Sequence, residues 1–465
     1  MASAQTVTNN LAKTTISGTV STMTRGIDFM GLLKWIGIFL LVGLILGCIY
    51  IAVMQNKAIA RPSNVAALIT TQRASIDANL TRVYTSRAAA NKADVNEPVQ
   101  MNEDCLINYC PLTVQQAGYL GPLQNGAYGE SDAITMALKA GARCFVLNID
   151  YYGNDTSMNV DLFGNPNEPV LLYRDSSNVI RSTNAGSIEK VAEALANLAF
   201  GNLVNNSSDP LIVILYFVNV PKVNTEEYLS FLSKVARKLQ PLVPYHLGQT
   251  PQGDYHRQQK QNDIPYQPMS TFEKKVLFFA NVETSGFRTS KIAYPPSADL
   301  DYLVNVTLYK NSTNSLGATP NVTTSLIPRG IIDTIGFFSN IPTDKQGDTV
   351  KNTKMNWTIA VGEWGSNPSF VTLRYLEETL GVQCVPLFIN STSKFTTPAP
   401  SKPTPAPGAP ENSTEDQLGS LLMYWSKVSY RPKPKGIRFI KPDNYTPSNP
   451  NPKVNSLGGI VQSPN

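Results

Sequence analysis

Histidine is scarce in this chain, with 2 residues among 465. Imidazole is the side chain that exchanges a proton most readily near neutral pH, so acid-base chemistry that needs a pair of histidines has little to draw on. Charged residues are also few, at 16%, and the formal net charge is +5. This balance argues against a nucleic-acid-binding surface, and we expect no nucleic acid as a partner.

The short motifs that mark common catalytic and cofactor sites are missing as well. The sequence contains no G-x-S-x-G, no P-loop, no H-E-x-x-H and no C-x-x-C. His246 and His256 lie ten residues apart in a Gln-rich stretch without Cys or Glu, which makes a poor metal site. We therefore expect no cofactor and no bound metal ion.

An uncharged run of twenty residues, from Trp35 to Met54, is present near the N-terminus. At about 1.5 Å per helical residue it is long enough for a bilayer core of roughly 30 Å. A buried helix of a soluble protein is the alternative, but such helices rarely lack every polar position over this length. The sequence predicts a retained single-pass transmembrane helix over 34–54, with the lipid bilayer as a partner.

Glycosylation sequons indicate the orientation, because basic residues flank the run on both sides. All eleven sequons follow the run. They begin at Asn79, Asn154, Asn205, Asn206, Asn305, Asn311, Asn321, Asn356, Asn390, Asn412 and Asn444. We expect a glycoprotein with a short inner tail and a C-terminal ectodomain outside or in the lumen, at a cell surface or in a virion membrane.

Composition changes along the chain and predicts its domains. Apolar spacing favours a helix after the run, short apolar runs alternate with helical stretches from Leu106 onward, and a Pro/Ala/Thr tract favours an extended spacer. The predicted order is a flexible tail (1–33), the transmembrane helix (34–54), a stalk helix (55–100), a barrel domain (101–392) with an insertion at 284–350, a Pro-rich linker (393–417), a segment packing on the barrel (418–441) and a flexible tail (442–465).

The barrel prediction rests on apolar runs that suit parallel strands buried on both faces. Seven or eight such strands in one domain favour an α/β, TIM-barrel-like fold. The runs are CLINYC, ARCFVLNI, PVLLY, LIVILYF, KVLFFANV, WTIAVGE and GVQCVPLFI.

Several of these blocks, in this order, resemble the X-domain of phosphoinositide-specific phospholipases C. In GESDAITMALKAGARCFVLNIDYYGN a helix that ends in glycine leads into an arginine-containing second strand. LINYCPLTVQQAGYL resembles the first strand and loop, EPVLLYRDSS the third strand, and LEETLGVQCVPLFI the closing strand. The resemblance implies a TIM-barrel-like phosphodiesterase domain over about 280 residues of this chain.

The resemblance also implies two catalytic histidines and a set of calcium-binding carboxylates, and this chain lacks them at the matching positions. The first histidine, the carboxylate pair of the second strand, the second histidine and the fourth-strand carboxylate correspond to Gln116, to Val146 and Asn148, to Tyr173 or Arg174, and to Val218. A different register would restore a carboxylate through Asp150 or Asp175. Arg143 and Arg174 are candidate phosphate ligands, although a structural ion pair at a strand end is the plainer role for Arg143.

The four cysteines after the apolar run, Cys105, Cys110, Cys144 and Cys384, permit disulfides or buried free thiols. The resemblance places Cys110 beside Cys144 and Cys384, and for any bridge we favour Cys105–Cys110.

The leading hypothesis is a membrane-anchored, catalytically inactive barrel with a structural or recognition role, contacting other membrane, capsid or surface proteins. One alternative is a divergent membrane-bound phosphodiesterase that acts on phosphatidylinositol or a glycerophosphodiester through Asp150, Asp175 and Arg174. The other is a receptor- or glycan-binding protein that uses the barrel as a scaffold for the 284–350 insertion.

Overall fold

The computed structural model describes most of the chain in separate stretches. The described residues are 29–58 (side chains 34–50), 65–77, 98–121, 125–153, 160–175, 177–201, 206–223, 225–247, 264–310, 329–362, 367–390, 421–422, 424–425, 428–442 and, for the backbone, 453–454 and 460–461. The chain divides into two compact units, Met1–Arg61 and Pro62–Asn465.

In the first unit the described element is a helix of 30 residues, α1 (Phe29–Ala58). The described apolar side chains of this helix are largely exposed, with Phe39 at 77%. Among the helices of the described residues, none is both long enough and apolar enough to cross a membrane. The structure therefore does not support the predicted transmembrane segment 34–54.

The second unit is built on one sheet whose main strands all run parallel. Along the sheet the order is β2, β5, β7, β8, β9, β10 and β11. The strands of the unit are β1 (Tyr109–Pro111), β2 (Thr113–Val114), β3 (Tyr119–Leu120), β4 (Ala127–Tyr128), β5 (Cys144–Asp150), β6 (Val170–Leu171), β7 (Leu211–Phe217), β8 (Val276–Ala280), β9 (Val304–Lys310), β10 (Arg329–Thr334), β11 (Trp357–Val361), β12 (Tyr430–Pro432), β13 (Lys453–Val454) and β14 (Ile460–Val461).

Two single parallel bridges join the ends of this sheet. Ile359 of β11 pairs with Cys384, and Leu387 pairs with Val114 of β2. The segment around Cys384 and Leu387 thus takes the place of an eighth strand. The sheet is therefore TIM-barrel-like, as the sequence predicts.

Apolar side chains on both faces explain why these runs form barrel strands. On β5, Cys144 and Val146 belong to the cluster inside the barrel, while Phe145 and Leu147 belong to the cluster beneath the helices. Side chains alternate between the two faces of a strand, so a strand that is covered on both sides reads as a continuous apolar run.

Helices follow the strands and cover the outer face of the sheet. Their starts are capped, for example by Ser187 and Thr225, whose hydroxyl oxygens accept from the Lys190 and Tyr228 N–H groups. The helices of the second unit are α2 (65–77), α3 (Glu130–Lys139), α4 (Val160–Phe163), α5 (Ile188–Leu198), α6 (Glu226–Lys238), α7 (Gly286–Thr289), α8 (Leu300–Leu303), α9 (Ile335–Ser339), α10 (Thr343–Met355) and α11 (Phe370–Arg374).

The predicted stalk helix (55–100) differs from the structure. Over 65–77 it forms α2, which packs on the barrel domain instead of extending away from it. Ile76 is 1% exposed and belongs to the cluster beneath the helices. Arg73 forms a 3.0 Å ion pair with Asp132 of α3. The apolar side chains at helical spacing form the face that contacts the domain.

Two other parts of the predicted architecture differ as well. The predicted third barrel strand is β6, which pairs antiparallel with the end of β5 and lies outside the parallel order. The predicted insertion 284–350 contains two barrel strands, β9 and β10. Polar residues such as Asn305, Thr307 and Asp333 interrupt the apolar runs of these strands, which weakens their signal in the sequence.

The segment after the predicted linker packs on the barrel. β12 pairs antiparallel with β1, and Trp425 donates a 3.1 Å hydrogen bond to the Cys110 carbonyl. Tyr430 joins the cluster inside the barrel. Residues 1–28 of the predicted N-terminal tail (1–33), the linker 393–417 and most of the tail 442–465 lie outside the described residues. Residues 29–33 of the predicted tail form the start of helix α1.

Candidate functional site at the barrel mouth

The loop that follows β2 carries the first of the predicted site positions. Gln116 is 1% exposed, and its φ of 52° lies in the left-handed region. Its Oε1 accepts a 3.0 Å hydrogen bond from the Tyr128 hydroxyl. Gly186 leaves room for this tyrosine, since a Cβ there would lie 2.7 Å from Tyr128 Cγ. Gln116 thus holds a buried phenol at the carboxyl end of β2.

The second strand carries the next two predicted positions. Val146 lies inside the barrel, and Asn148 follows on the same face, 2% exposed. The Asn148 Oδ1 atom is buried and accepts from no group in the described residues. The carboxyl-terminal end of the barrel strands, termed the mouth, therefore has a valine and an amide where the resemblance implies carboxylates.

Asp150, the last residue of β5, is fully buried and bound on both oxygens. Arg174 donates from Nε to Oδ2 at 2.5 Å and from Nη2 to Oδ1 at 3.1 Å. Asn219 donates from Nδ2 to Oδ1 at 3.2 Å. The Asp150 side chain is 0% exposed and that of Arg174 is 12% exposed. A bidentate guanidinium is among the strongest partners a carboxylate finds in a protein.

The Asp150–Arg174 pair also distinguishes Tyr173 from Arg174, the two residues predicted for the second histidine position. Arg174 reaches Asp150, whereas Tyr173 packs its ring 5.3 Å from that of Tyr119 and 6.1 Å from that of Phe388. Burial raises the pKa of Tyr173 to about 12. Tyr173 is thus a core residue, and Arg174 is the polar group at the mouth.

Asn219 is a site residue that sequence reasoning missed in favour of its neighbour Val218. The Val218 N–H donates to the Ile149 carbonyl at 2.8 Å, and the side chain that reaches Asp150 comes one residue later. The position of Asn219 after the apolar run LIVILYF could have predicted this contact. Side chains that follow neighbouring parallel strands meet at the same edge of the sheet.

Arg143 and Arg174, the two predicted phosphate ligands, are not in one site. Arg143 precedes β5 and Arg174 contacts its last residue, so at about 3.3 Å per residue they are separated by roughly 20 Å. Arg143 donates to the Ala199 carbonyl at 2.8 Å and to Asn206 Oδ1 at 3.1 Å. Burial lowers its pKa. Arg143 is a buried structural residue that binds loop carbonyls instead of the carboxylate we expected.

Asp175 is the other carboxylate that a shifted register would bring to the site. Its side chain binds groups of the turn that follows β6. Its carboxylate accepts from the Val179 N–H at 3.0 Å and from Arg181 Nε at 2.6 Å. The Val179 N–H and Arg181 together lower the pKa of Asp175. Asp175 therefore stabilises the turn after β6 and does not contact Asp150.

Of the two histidines, His246 lies in the described part of the chain and His256 lies outside it. His246 is 1% exposed, with its Nε2 3.0 Å from the Leu303 carbonyl oxygen and its ring stacked on Phe278. Burial lowers its pKa to about 4. His246 is a neutral core residue between the sheet and α8.

The sequons and cysteines also have positions in the fold. Of the four described sequon residues, Asn305 and Asn390 are buried, and Asn206 uses its amide to bind Arg143. A glycan needs an exposed amide, so of these four only Asn356, which is partly exposed, remains a candidate. The other seven, Asn79, Asn154, Asn205, Asn311, Asn321, Asn412 and Asn444, lie outside the described residues.

All four cysteines after α1 are buried free thiols. The favoured Cys105–Cys110 bridge is therefore not formed. Cys144 and Cys384 approach to 3.9 Å between their sulfur atoms inside the barrel.

The mouth does not fit the calcium ion that the resemblance implies. Calcium takes six to eight oxygen ligands, among them ionised carboxylates. Asp150, the carboxylate that ends β5, is bound by Arg174, and Gln116 and Asn148 carry amides. In the described residues no three His, Cys, Asp or Glu side chains cluster closely enough to hold a metal ion.

Comparisons with known proteins bear on the fold. No family model and no curated protein sequence matches the chain. Among solved structures it is similar to PLC21 of L. pealei, at 13% identity and a TM-score of 0.47, over 74% of this chain and 39% of that one. It is also similar to the calcium-dependent phosphoinositol-specific phospholipase C of Pseudomonas sp., at 11% identity and a TM-score of 0.36, over 63% and 93% of the two chains.

A third similar structure is the calcium-dependent phosphatidylinositol-specific phospholipase C of Streptomyces antibioticus, at 9% identity and a TM-score of 0.36, over 62% and 95%. The Pseudomonas and Streptomyces proteins are phospholipases C by name. The chain spans about 39% of the length of PLC21, and at these identities the likeness says nothing about the role of any residue.

Proposed function

We propose that this chain is a catalytically inactive phospholipase C-like barrel with a structural or recognition role. The observation that carries the proposal is the occupied carboxylate at the mouth, because Asp150 is bound by Arg174 and Asn219. Gln116 and Asn148 lie at positions where the resemblance implies a histidine and a carboxylate. An amide neither accepts nor releases a proton near neutral pH, so neither residue can act as a general acid or base.

Recruiting Asp150 for catalysis would require breaking its ion pair. A free carboxylate could accept a proton or bind a cation, but here both oxygens accept from the guanidinium of Arg174. Separating a buried pair leaves an uncompensated charge, which costs several kcal/mol. The site is therefore arranged for stability, which favours a recognition or structural role over turnover.

The purified full-length chain should hydrolyse neither phosphatidylinositol vesicles nor a soluble glycerophosphodiester, with or without calcium. A positioned acid-base group contributes a factor of about 10² to 10⁴, and both such groups are missing at this mouth. Phosphate-ester release, followed by phosphorus NMR or by radiolabelled substrate, measures the reaction.

The control variants are Asp150→Asn and Asp175→Asn. Calcium-dependent hydrolysis that is lost in Asp150→Asn but retained in Asp175→Asn would overturn the proposal in favour of the divergent phosphodiesterase. Hydrolysis that survives both substitutions would place the catalytic groups at another site. That result would also overturn the proposal that the barrel is catalytically inactive.

We also propose that the barrel is displayed on a membrane by its N-terminal segment, facing other surface or capsid proteins. This proposal rests on the sequence, in which the twenty residues from Trp35 to Met54 carry no charge. A bilayer crossing needs about 20 predominantly apolar residues.

The membrane proposal predicts that the full-length chain stays with the lipid fraction after alkaline carbonate extraction, whereas a chain that begins at Pro62 is released. Protease added outside sealed vesicles should digest the barrel domain. Release of the full-length chain would contradict the anchor, and a protected barrel domain would reverse the orientation.

A further inference from the structure

A cavity of about 670 Å³ lies between strands β9, β10 and β11 and the helices α9 and α10. This volume falls within the range of small-molecule sites. None of the mouth residues Gln116, Asn148, Asp150 and Arg174 lines it. The cavity is therefore a separate feature, and what it binds goes beyond the proposed function.

The composition of α10 explains why space remains here. Its sequence, TDKQGDTVKNTKM, holds two apolar side chains, Val350 and Met355, and Thr353 is its only buried residue. Helices that pack closely on a sheet do so with an apolar stripe, which α10 lacks. Apolar side chains, among them Ile331, Phe338 and Ile341, line the cavity from the sheet and the α9 region. An apolar ligand body would find contacts on this wall.

Asp333 of β10 supplies a buried charge to the same wall. It is 4% exposed, and its Oδ1 accepts from the Thr334 N–H at 2.8 Å. Its Oδ2 accepts from no group of the described residues. Lys310 and Lys345 also line the cavity, but both are exposed, and in the described part of the chain Asp333 forms no ion pair. A buried carboxylate without a cation is costly unless another group compensates it.

We propose that this cavity binds a small organic ligand with a protonated amine on an apolar body, the amine binding Asp333. An ammonium group supplies both the missing donor and the compensating charge. Lys310 and Lys345 oppose this cation only weakly, because salt and water screen exposed charges. The apolar body packs on the wall that contains Ile331 and Phe338.

Benzylamine tests the proposal, with benzyl alcohol as a neutral probe of nearly equal shape and toluene as a slightly smaller apolar probe. Binding to the purified full-length chain is followed by ligand-observed NMR titration. We expect saturable binding of benzylamine and binding of the two neutral probes that is weaker by about tenfold or more, the usual effect of a charged hydrogen bond. Asp333→Asn should weaken benzylamine by a similar factor, and Asp344→Asn, at an exposed position of α10, should leave it unchanged.

A second variant covers the case in which Asp333→Asn does not fold. Thr349→Trp places a large side chain in the cavity from the exposed helix α10 and should abolish binding while Asp333 stays intact. Absence of saturable binding, equal binding of toluene, or binding that survives Thr349→Trp would each overturn the proposal. The first of these results would indicate that water alone satisfies Asp333.

Discussion

Replacing Arg174 with alanine should lower the free energy of unfolding by about 3–5 kcal/mol. The partner that remains, Asp150, is 0% exposed, and among the described residues its carboxylate then keeps only the hydrogen bonds from Asn219. A buried carboxylate without its guanidinium keeps the desolvation cost and loses the compensating attraction. Urea denaturation of the full-length chain measures the loss as a lower midpoint at unchanged slope.

The two members of this pair should respond unequally. Asp150→Asn should cost less than Arg174→Ala, because Arg174 is 12% exposed and can turn toward water, whereas Asp150 cannot. The double variant Asp150→Asn with Arg174→Ala should recover much of the loss, since it removes the buried charge itself.

Arg181→Ala is the matched control, since it breaks an arginine–aspartate pair on the same turn. The side chains of that pair, Arg181 and Asp175, are 35% and 21% exposed, so its removal should have a far smaller effect. Equal losses in Arg174→Ala and Arg181→Ala would mean that Asp150 is solvated. The proposal that its carboxylate is unavailable for catalysis would then fail.

Some strands of this fold can be predicted from the sequence, and others cannot. β7, β8 and the first four residues of β5 are continuous apolar runs because helices cover one face and the barrel interior covers the other. β9 and β10 carry buried polar residues, Asn305 and Asp333, and so resemble a loop-rich insertion in composition. Asn305 is needed there because its Oδ1 accepts from the Phe278 N–H at 2.7 Å. A polar side chain that serves a backbone group cannot be distinguished from a surface residue by sequence alone.

In the candidate site, the sequence predicts positions along a strand but does not predict which side chains meet between strands. The sequence predicts Gln116 and Asn148 near the carboxyl ends of the first two barrel strands, since position along a parallel strand follows from the apolar pattern. The Asp150–Arg174 contact joins residues 24 apart through the antiparallel strand β6. The sequence predicts β6 as a third barrel strand, which would direct Arg174 elsewhere. Pairing between strands, rather than propensity, decides which charges meet.

Replacing Arg438 with alanine should cost about 3–5 kcal/mol and loosen the C-terminal segment 428–442 from the barrel. Arg438 Nη1 donates to Glu103 Oε2 at 2.7 Å, and the two side chains are 1% and 2% exposed. Its Nε also donates to the Lys433 carbonyl at 2.6 Å. The substitution thus leaves a buried carboxylate and an unpaired carbonyl at the junction between the segment and residues 98–111.

Amide hydrogen exchange distinguishes loosening from global unfolding, because the N–H groups that β12 and β1 share should exchange faster than those of β5 and β7. Lys435→Ala changes an exposed cation in the same segment and serves as the control. The double variant Glu103→Gln with Arg438→Met removes both charges and should restore protection, as apolar replacement of buried pairs often does. Protection of β12 that survives Arg438→Ala would mean that strand pairing with β1, and not this ion pair, retains the segment.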